Sequence, residues 1–137
     1  MIKMCLLWLL SRNVTFKKKE IRFVKKKLTA FIADTPRKMT VGLMFRKSIR
    51  QNECMLFAFP NDGQHPIWMR NMRFPLDIVW LDDKRRVVDF VESAKPSSGF
   101  DLSGYKSKEQ SRYVIELNAG FVRKNRVKIK DVAKFGV

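Results

Sequence analysis

The stretch Pro66-Ile-Trp-Met-Arg-Asn-Met-Arg-Phe-Pro-Leu-Asp-Ile-Val-Trp-Leu-Asp82 constrains the fold more than any other part of the chain. Two apolar runs flank a polar kink that carries Arg70, Asn71, Arg73 and Asp77. Proline at Phe74-Pro75 has no N–H to give to a ladder, so the strands it separates cannot be one strand. The reading is two strands in one core, with polar side chains held against an apolar wall at the corner between them. Small-ligand sites are built that way, and so are tight corners of β-barrels.

The remaining segments agree with a mostly β chain. Phe16 to Ala33 predicts a hairpin: Ile21 and Phe23 alternate with charged neighbours, and Leu28 to Ile32 form a second β-prone run. Its lysines also discourage edge-to-edge pairing. Asp34-Thr35-Pro36 predicts the start of a short helix, with Thr35 as cap and Pro36 in the first turn. Met39, Leu43 and Met44 then face the core, and Gly42 ends the helix or lets it pack closely. Met55 to Phe59 predicts a strand closed by Pro60, followed by a loop at residues 61–64. Further strands are expected at 67–70, 76–81, 86–92, 113–117 and 127–135, with a turn at Asp82-Asp-Lys-Arg85 and one helical turn after Gly120. Residues 95–111 read as a long polar loop. No internal repeat or second domain is visible. About eight short strands with one or two short helices predict a compact barrel or jelly-roll-like sandwich.

At 137 residues and 45% apolar content, the chain is long enough to bury a core as one domain. Its formal charge of +16 predicts attraction to polyanions and says nothing of the fold. Residues 1–38 hold eleven Lys/Arg against two acids, and residues 39–137 hold eighteen against eleven. The basic side chains expected to meet a polyanion are Lys17, Lys18, Lys19, Lys25, Lys26 and Lys27, and a second cluster of Arg123, Lys124, Arg126 and Lys128. A solvated, solubilising surface accounts for the same residues.

Other chemistries have little support. Cys5 and Cys54 lie far apart and make no disulfide framework or zinc-ligand spacing. Cys54, inside an apolar run, reads as a small buried hydrophobe. His65 is the one histidine, so no metal cluster is expected to form around a second. No metal or other cofactor is expected, and there is no phosphate loop or dinucleotide fingerprint. Residues 1–27 read as a basic extension with a short apolar start. Met4 to Leu10 is too short to span a membrane, and Ser11-Arg12-Asn13 is a poor cleavage site. The expectation there is an extra strand or disordered extension, then a weak anchor on anionic headgroups, then a signal peptide, with the chain cytoplasmic.

Ala33-Asp-Thr-Pro36, Gly42-Leu-Met-Phe-Arg46, Met55-Leu-Phe-Ala-Phe59, Trp68-Met-Arg-Asn71, Phe74-Pro-Leu-Asp-Ile-Val-Trp-Leu-Asp82, Tyr113-Val-Ile-Glu-Leu-Asn-Ala-Gly120 and Lys130-Asp131 occur in an order that resembles the DUF192 family, also called UPF0127. The resemblance covers residues 28–135. It implies a compact β-barrel or jelly-roll-like domain, with no settled activity. The family usually has glycine where this chain has Lys130, which predicts a differently built turn. Many members carry cysteines where this chain has Pro96-Ser-Ser-Gly99, so thiol chemistry in that loop is excluded.

Arg46, Asn71, Asp77 and Glu116 stand inside otherwise apolar motifs of that set. Burying such groups unpaired costs roughly 2–7 kcal/mol, so each needs a partner or a wet cavity. Arg46 is expected to fork onto a carboxylate, either Asp77 or an anionic ligand. Asn71 is expected to orient a ligand carbonyl or to pin the kink. Strand alternation puts Met69 and Asn71 on the cavity side and leaves Arg70 and Arg73 as surface charges. The expected ligand-binding set is therefore Arg46, Met69, Asn71, Asp77 and Glu116, against the plainer reading of an internal Arg46–Asp77 pair and a structural corner.

Three functions follow, in order. The first is a binding or accessory module for a small molecule or a protein partner. The second is a protein associated nonspecifically with nucleic acid, or with an anionic membrane surface, through its basic clusters. The third is a carboxylate-dependent enzyme on a polar or carbohydrate-like substrate, drawing on Asp77, Asp89, Glu92 or Glu116.

Overall fold

In the computed structural model, which describes residues 2–97 and 104–136, the elements follow one another as α1 (Ile2–Arg12), β1 (Lys17–Phe23), β2 (Lys26–Ala33), α2 (Pro36–Val41), β3 (Glu53–Gly63), β4 (Ile67–Trp68), β5 (Leu76–Leu81), β6 (Val87–Ala94), β7 (Gly104–Tyr105), β8 (Ser111–Asn118), α3 (Phe121–Lys124) and β9 (Ala133–Lys134). Seven strands form one curled sheet in the order β6-β5-β8-β3-β2-β1-β9, a half-barrel, with β4 and β7 as a separate ribbon. Only β2 and β3 run parallel in the large sheet. The crossover between them contains α2, as a parallel connection requires.

Both faces of the sheet are buried at its central strands. Leu28, Ala30 and Ile32 of β2, Cys54 and Leu56 of β3, Ile115 and Leu117 of β8, and Val79 and Leu81 of β5 form one core. The C-terminal residues Val122, Val127, Ala133 and Phe135 cover that core. The alternate residues Phe31, Met55, Phe57, Val114, Ile78 and Trp80 belong to a second core with Leu43, Met69 and Met72. The all-apolar run at Leu76–Leu81 follows from this: β5 is buried throughout because neither face meets water.

The Phe16–Ala33 hairpin forms as expected, through a two-residue turn at Val24 (φ 44°) and Lys25 (φ 66°). Positive φ at both turn residues matches the twist of the strands it joins. Thr35 caps α2 by accepting from the Lys38 N–H at 3.2 Å, and Gly42 (φ 47°) ends it. Strands at 76–81 and 113–117 and the turn after Gly120 also lie where the sequence put them.

Four local expectations are corrected. Residues 1–12 were expected as a strand or extension, whereas Ile2–Arg12 is helical. Residues 1–27 are not all an extension, because Lys17–Phe23 pairs with β2 over seven residues and buries Ile21 and Phe23. Pro60 does not close its strand. The register between β3 and β8 slips between Ala58 and Gly63, and proline falls in that irregularity, where its missing N–H costs no ladder bond. Residues 127–131 are turns rather than strand. There Lys130 donates to the Val87 carbonyl, Val87 donates to the Asp131 carbonyl, and Ala133 donates to the Arg85 carbonyl. Since β9 also pairs with β1, this segment ties the two sheet edges together.

Lys130 occupies the left-handed region at φ 79°. The turn expected to differ from a glycine-containing one has the backbone glycine would adopt, with lysine bearing the strain. A side chain there costs roughly 1–2 kcal/mol, partly offset by its smaller unfolded-state entropy. Lys130→Gly is expected to raise stability by about 0.5–1 kcal/mol in urea unfolding. A loss of stability would show that the lysine side chain supports the turn.

Candidate functional site

Parity along the strands decides which candidate side chains can meet. Asp77 pairs with Leu117 and lies on the first core's face, whereas Glu116 pairs with Met55 and Ile78 and lies on the opposite face. The sheet separates the two carboxyls. Asp77 is fully buried and its two oxygens accept from backbone N–H groups, Ser93 at 2.8 Å and Val122 at 2.8 Å. It fastens β6 and α3 to β5. The expected Arg46–Asp77 fork does not form, and Asp77 is not among the residues that line the cavity beside Glu116.

Glu116 stands in a cavity of about 290 Å³, at the small end of the range for small-molecule pockets. Its walls come from both sides of the chain's corner. Met39 and Thr40 of α2 and the following Gly42 and Met44 form one side, Phe57 and Phe59 of β3 the floor, and Ile67, Trp68, Arg70 and Met72 the other side. Gly42 matters here: a Cβ added there would lie 3.4 Å from the Phe57 ring and 3.8 Å from Glu116 Oε1. Its absence opens the cavity onto the carboxyl. Burial alone pushes the Glu116 carboxyl up to about 8, and among the described residues no hydrogen bond reaches it. At neutral pH it is an uncharged acid in an apolar wall.

The corner between β4 and β5 is held from outside. Trp80 donates through Nε1 to the His65 carbonyl at 3.0 Å, and the His65 ring stacks on Phe59 at 3.7 Å. These contacts set Pro66 to Trp68 as a wall. Asn71 is the second fixed point, at φ 59°: its carbonyl accepts from Phe45 N–H at 2.9 Å and its side-chain amide lies 3.9 Å from Met44 Sδ. It thereby joins the Gly42–Arg46 and Trp68–Asn71 segments, which is the pinning role.

The expected facing of this corner is reversed. Met69 is buried in the second core and Asn71 pins backbone, while Trp68 and Arg70 line the cavity. Alternation holds, with Trp68 and Arg70 on one side and Met69 on the other, but the cavity lies on the side of Trp68 and Arg70. Met39, Thr40, Phe57 and Phe59 were also missed as lining. For Phe57 the signal was present, since it shares a strand face with Met55, the partner of Glu116.

Arg46 lines a neighbouring hollow of about 250 Å³ that shares Val41, Gly42 and Met44 with the cavity. Its guanidinium lies 4.6 Å from the Phe31 ring centre and 5.8 Å from that of Phe16. Burial lowers its pKa and Glu53 opposes the shift. Cys54 is buried, and its thiol is pushed up to about 12 by burial and then by Glu53, which makes it an inert core group.

The two basic clusters meet at one place. Lys26, Lys27 and Lys124 line a third hollow of about 330 Å³ with Gln51, Asn52 and Asn125. Lys27, Arg22 and Lys134 stand in register across β2, β1 and β9, an arrangement of like charges that is partly offset by Glu20, 3.8 Å from Lys27 Nζ. The remaining members disperse: Lys18 sits 5.3 Å from the Phe31 ring and Arg123 3.9 Å from Glu92. The Pro96–Gly99 loop lies outside the described residues from Ser98 on. No helix among the described residues is long and apolar enough to cross a membrane.

The sequence matches the DUF192 family, described as an uncharacterised ACR, over residues 17–135. That match starts ahead of residue 28, consistent with β1 being part of the sheet. A UPF0127 protein of Thermococcus gammatolerans is 34% identical over 108 residues, 77% of this chain and 65% of the relative. One from Thermococcus kodakarensis is 34% identical over 103 residues, 74% of this chain and 60% of the relative. The match thus spans less than two thirds of the length of these curated relatives. Among solved structures, a Sinorhizobium meliloti protein provisionally labelled a transcription regulator superposes with a TM-score of 0.81 at 28% identity, covering 89% of this chain and 96% of that one. A Novosphingobium aromaticivorans protein of unknown function gives 0.80 at 22% identity, covering 91% and 96%, a likeness of fold alone.

Asp77→Asn tests the fastening role. An amide presents one oxygen acceptor where the carboxylate presents two, and turns an N–H₂ toward a backbone donor. The expected loss is about 2–4 kcal/mol of stability in urea unfolding. A variant as stable as the parent would free Asp77 for another role.

Proposed function

We propose that this chain, which belongs to the DUF192 family, is a binding module whose cavity takes a small molecule with an apolar body and a hydrogen-bond-accepting group. Glu116 carries the reading. A carboxyl kept protonated at neutral pH is a strong hydrogen-bond donor, and apolar sites elsewhere use such acids in this way. Left without an acceptor, a buried polar group costs about 1–3 kcal/mol. A ligand acceptor placed on Glu116 recovers that cost, and Met39, Met44, Phe57, Phe59 and Trp68 supply the apolar contact. The cavity also gathers residues from four of the motifs that mark the family, which a purely structural corner does not require.

The raised carboxyl has a stability consequence whose sign is fixed. Folded, Glu116 titrates near about 8, and unfolded near its ordinary 4.5. Between those values the folded chain holds a proton that the unfolded chain has lost. The stability this supplies is complete below the lower value and is lost as pH rises through the upper one. Glu116→Gln, which cannot ionise, is expected to show a flatter Tm profile from about pH 5 to about pH 9 and to melt roughly 5–10 °C above the parent at the alkaline end. A parallel pair of profiles would mean that Glu116 is ionised throughout and would remove the donor on which the reading rests.

A second reading rests on the hollow lined by Lys26, Lys27 and Lys124, which suits the phosphates of a nucleic-acid strand. Binding of short single-stranded DNA, followed by fluorescence anisotropy, is expected to weaken steeply with salt. The double variant Lys27→Ala, Lys124→Ala is expected to reduce the slope of log affinity against log salt by about 1.4. An unchanged slope would place DNA binding elsewhere or nowhere.

A further inference from the structure

The helix α1 turns apolar side chains to water. Leu6 and Leu9, then Leu9 and Arg12, stand three residues apart, and Trp8 stands four before Arg12, so the four are neighbours on one helical face. All four are exposed, whereas Leu7, Leu10 and Ser11 on the opposite face are half-buried. Leu6 is 56% exposed, Leu9 51% and Trp8 46%, so about half of each large apolar side chain meets solvent. A helix packed on a globular protein directs its apolar stripe to the core. Among the described residues, neither core contains a residue of α1. The helix rests against α2 instead, and its Trp8, Ser11 and Arg12 border the hollow lined by Met44 and Arg46. An exposed apolar patch of this kind marks a surface that meets a partner.

The surrounding charge identifies the chemistry of that partner. Residues 1–19 contain no Asp or Glu. Arg12 lies 4.9 Å from the Trp8 ring centre, within the exposed face itself. Lys18 pairs in register with Phe31 of the second core and lies 5.3 Å from its ring centre. Since α2 packs its Met39 against that same core, α1 and Lys18 share one side of the sheet. Strand alternation adds Arg22 to that side and, opposite it, Lys27, with Glu20 the one acid of β1.

We infer that α1 docks on a bilayer rich in anionic phospholipid, with Leu6, Trp8 and Leu9 entering between the headgroups and Arg12, Lys18 and Arg22 meeting the phosphates. With 11 residues the helix is about 16 Å long, which suits lying in the headgroup region and falls short of a hydrocarbon core of about 30 Å. Tryptophan suits that depth, having an apolar body and one polar edge. A second copy of the chain fits less well, because each copy carries a formal charge of +16 and the basic faces repel. A nucleic acid would engage the cations and leave Leu6 and Leu9 in water. The inference is independent of the cavity reading, since no residue of α1 lines the Glu116 cavity.

Co-sedimentation of the full chain with vesicles tests it, one set made of phosphatidylcholine alone and one of equal parts phosphatidylcholine and phosphatidylglycerol. Partitioning into the anionic set is expected to be about tenfold or more stronger. Brominated acyl chains are expected to quench part of the tryptophan emission, and that part is expected to vanish in Trp8→Phe. Quenching in the parent chain needs no variant to fold. The double variant Leu6→Ser, Leu9→Ser is expected to lose about tenfold or more in partitioning while keeping the parent's Tm, because neither core includes α1. Equal partitioning of variant and parent overturns the inference, since the cations alone would then account for adhesion. Equal partitioning into the two sets of vesicles, or none into either, overturns it too. A parent dimer that the double variant converts to monomer, without vesicle binding, assigns the face to a second copy. A loss of affinity for single-stranded DNA that matches the loss of partitioning assigns it to nucleic acid, and either result overturns the lipid inference.

Discussion

A β-sheet that is apolar on both faces cannot be left open on either side, and most of this molecule follows from that requirement. The residues of β5 are buried without exception, and those of β2, β3 and β8 alternate between two cores. One core is closed by the C-terminal segment. The other is closed by α2, the β4–β5 corner and the neighbouring loops. Among the described residues each face carries one buried acid, and the two acids have opposite fates. Asp77 receives two backbone N–H donors from the segments that cover its face. Glu116 receives none from the described residues on its own face and is neutral instead. The same physical cost, burial of a carboxyl, is met once by hydrogen bonding and once by protonation.

That asymmetry distinguishes a fastening from a site. The lid over the first core is seated on Asp77, so the fold uses all that the carboxylate offers. The lid over the second core is seated on other contacts: Asn71 with Phe45 and Met44, Trp80 with the His65 carbonyl, and the stacked His65 and Phe59 rings. Among the described residues, no hydrogen bond of the Glu116 carboxyl takes part in seating it. Polar groups that the fold buries and does not use are where a ligand has something to gain, which is why the cavity rather than Asp77 is the functional candidate.

The sequence was most legible where one local rule acts alone. The Thr35 cap, the Pro75 break, the hairpin alternation at Ile21 and Phe23, and the apolar run at 76–81 each depend on a few neighbouring residues, and each appears in place. Glu116 was recognisable as a polar residue in an apolar strand. Legibility failed where tertiary contacts override local pattern. Pro60 reads as a terminator until the bulge against β8 makes its missing N–H harmless. Residues 127–131 alternate like a strand, yet their backbone bonds go to residues 85–87 at the far sheet edge. The apolar start at 4–10 is compatible with strand or helix, and periodicity over so short a run does not choose between them. At Trp68 to Asn71 the parity rule itself was sound, but the left-handed Asn71 ends its range. Parity alone does not say which side meets a cavity, and Arg70, expected at the surface, lies on the side that does.

The position of β3 sets a timetable for assembly. It is flanked by β2, reached through one short crossover, and by β8, which begins at Ser111 near the other end of the chain. A chain emerging from the ribosome completes β1, β2, α2 and β3 before β8, so β3 has an open edge and uncovered apolar faces until β8 and the segments after it have been made. Pairings of such long sequence separation close slowly, and exposed strand edges invite association with other chains in the meantime. The dense lysines of β1 and the β1–β2 turn precede β3 in the chain, and their mutual repulsion opposes association between copies during that interval. Charge that looks superfluous on the finished surface thus has a use before the surface exists.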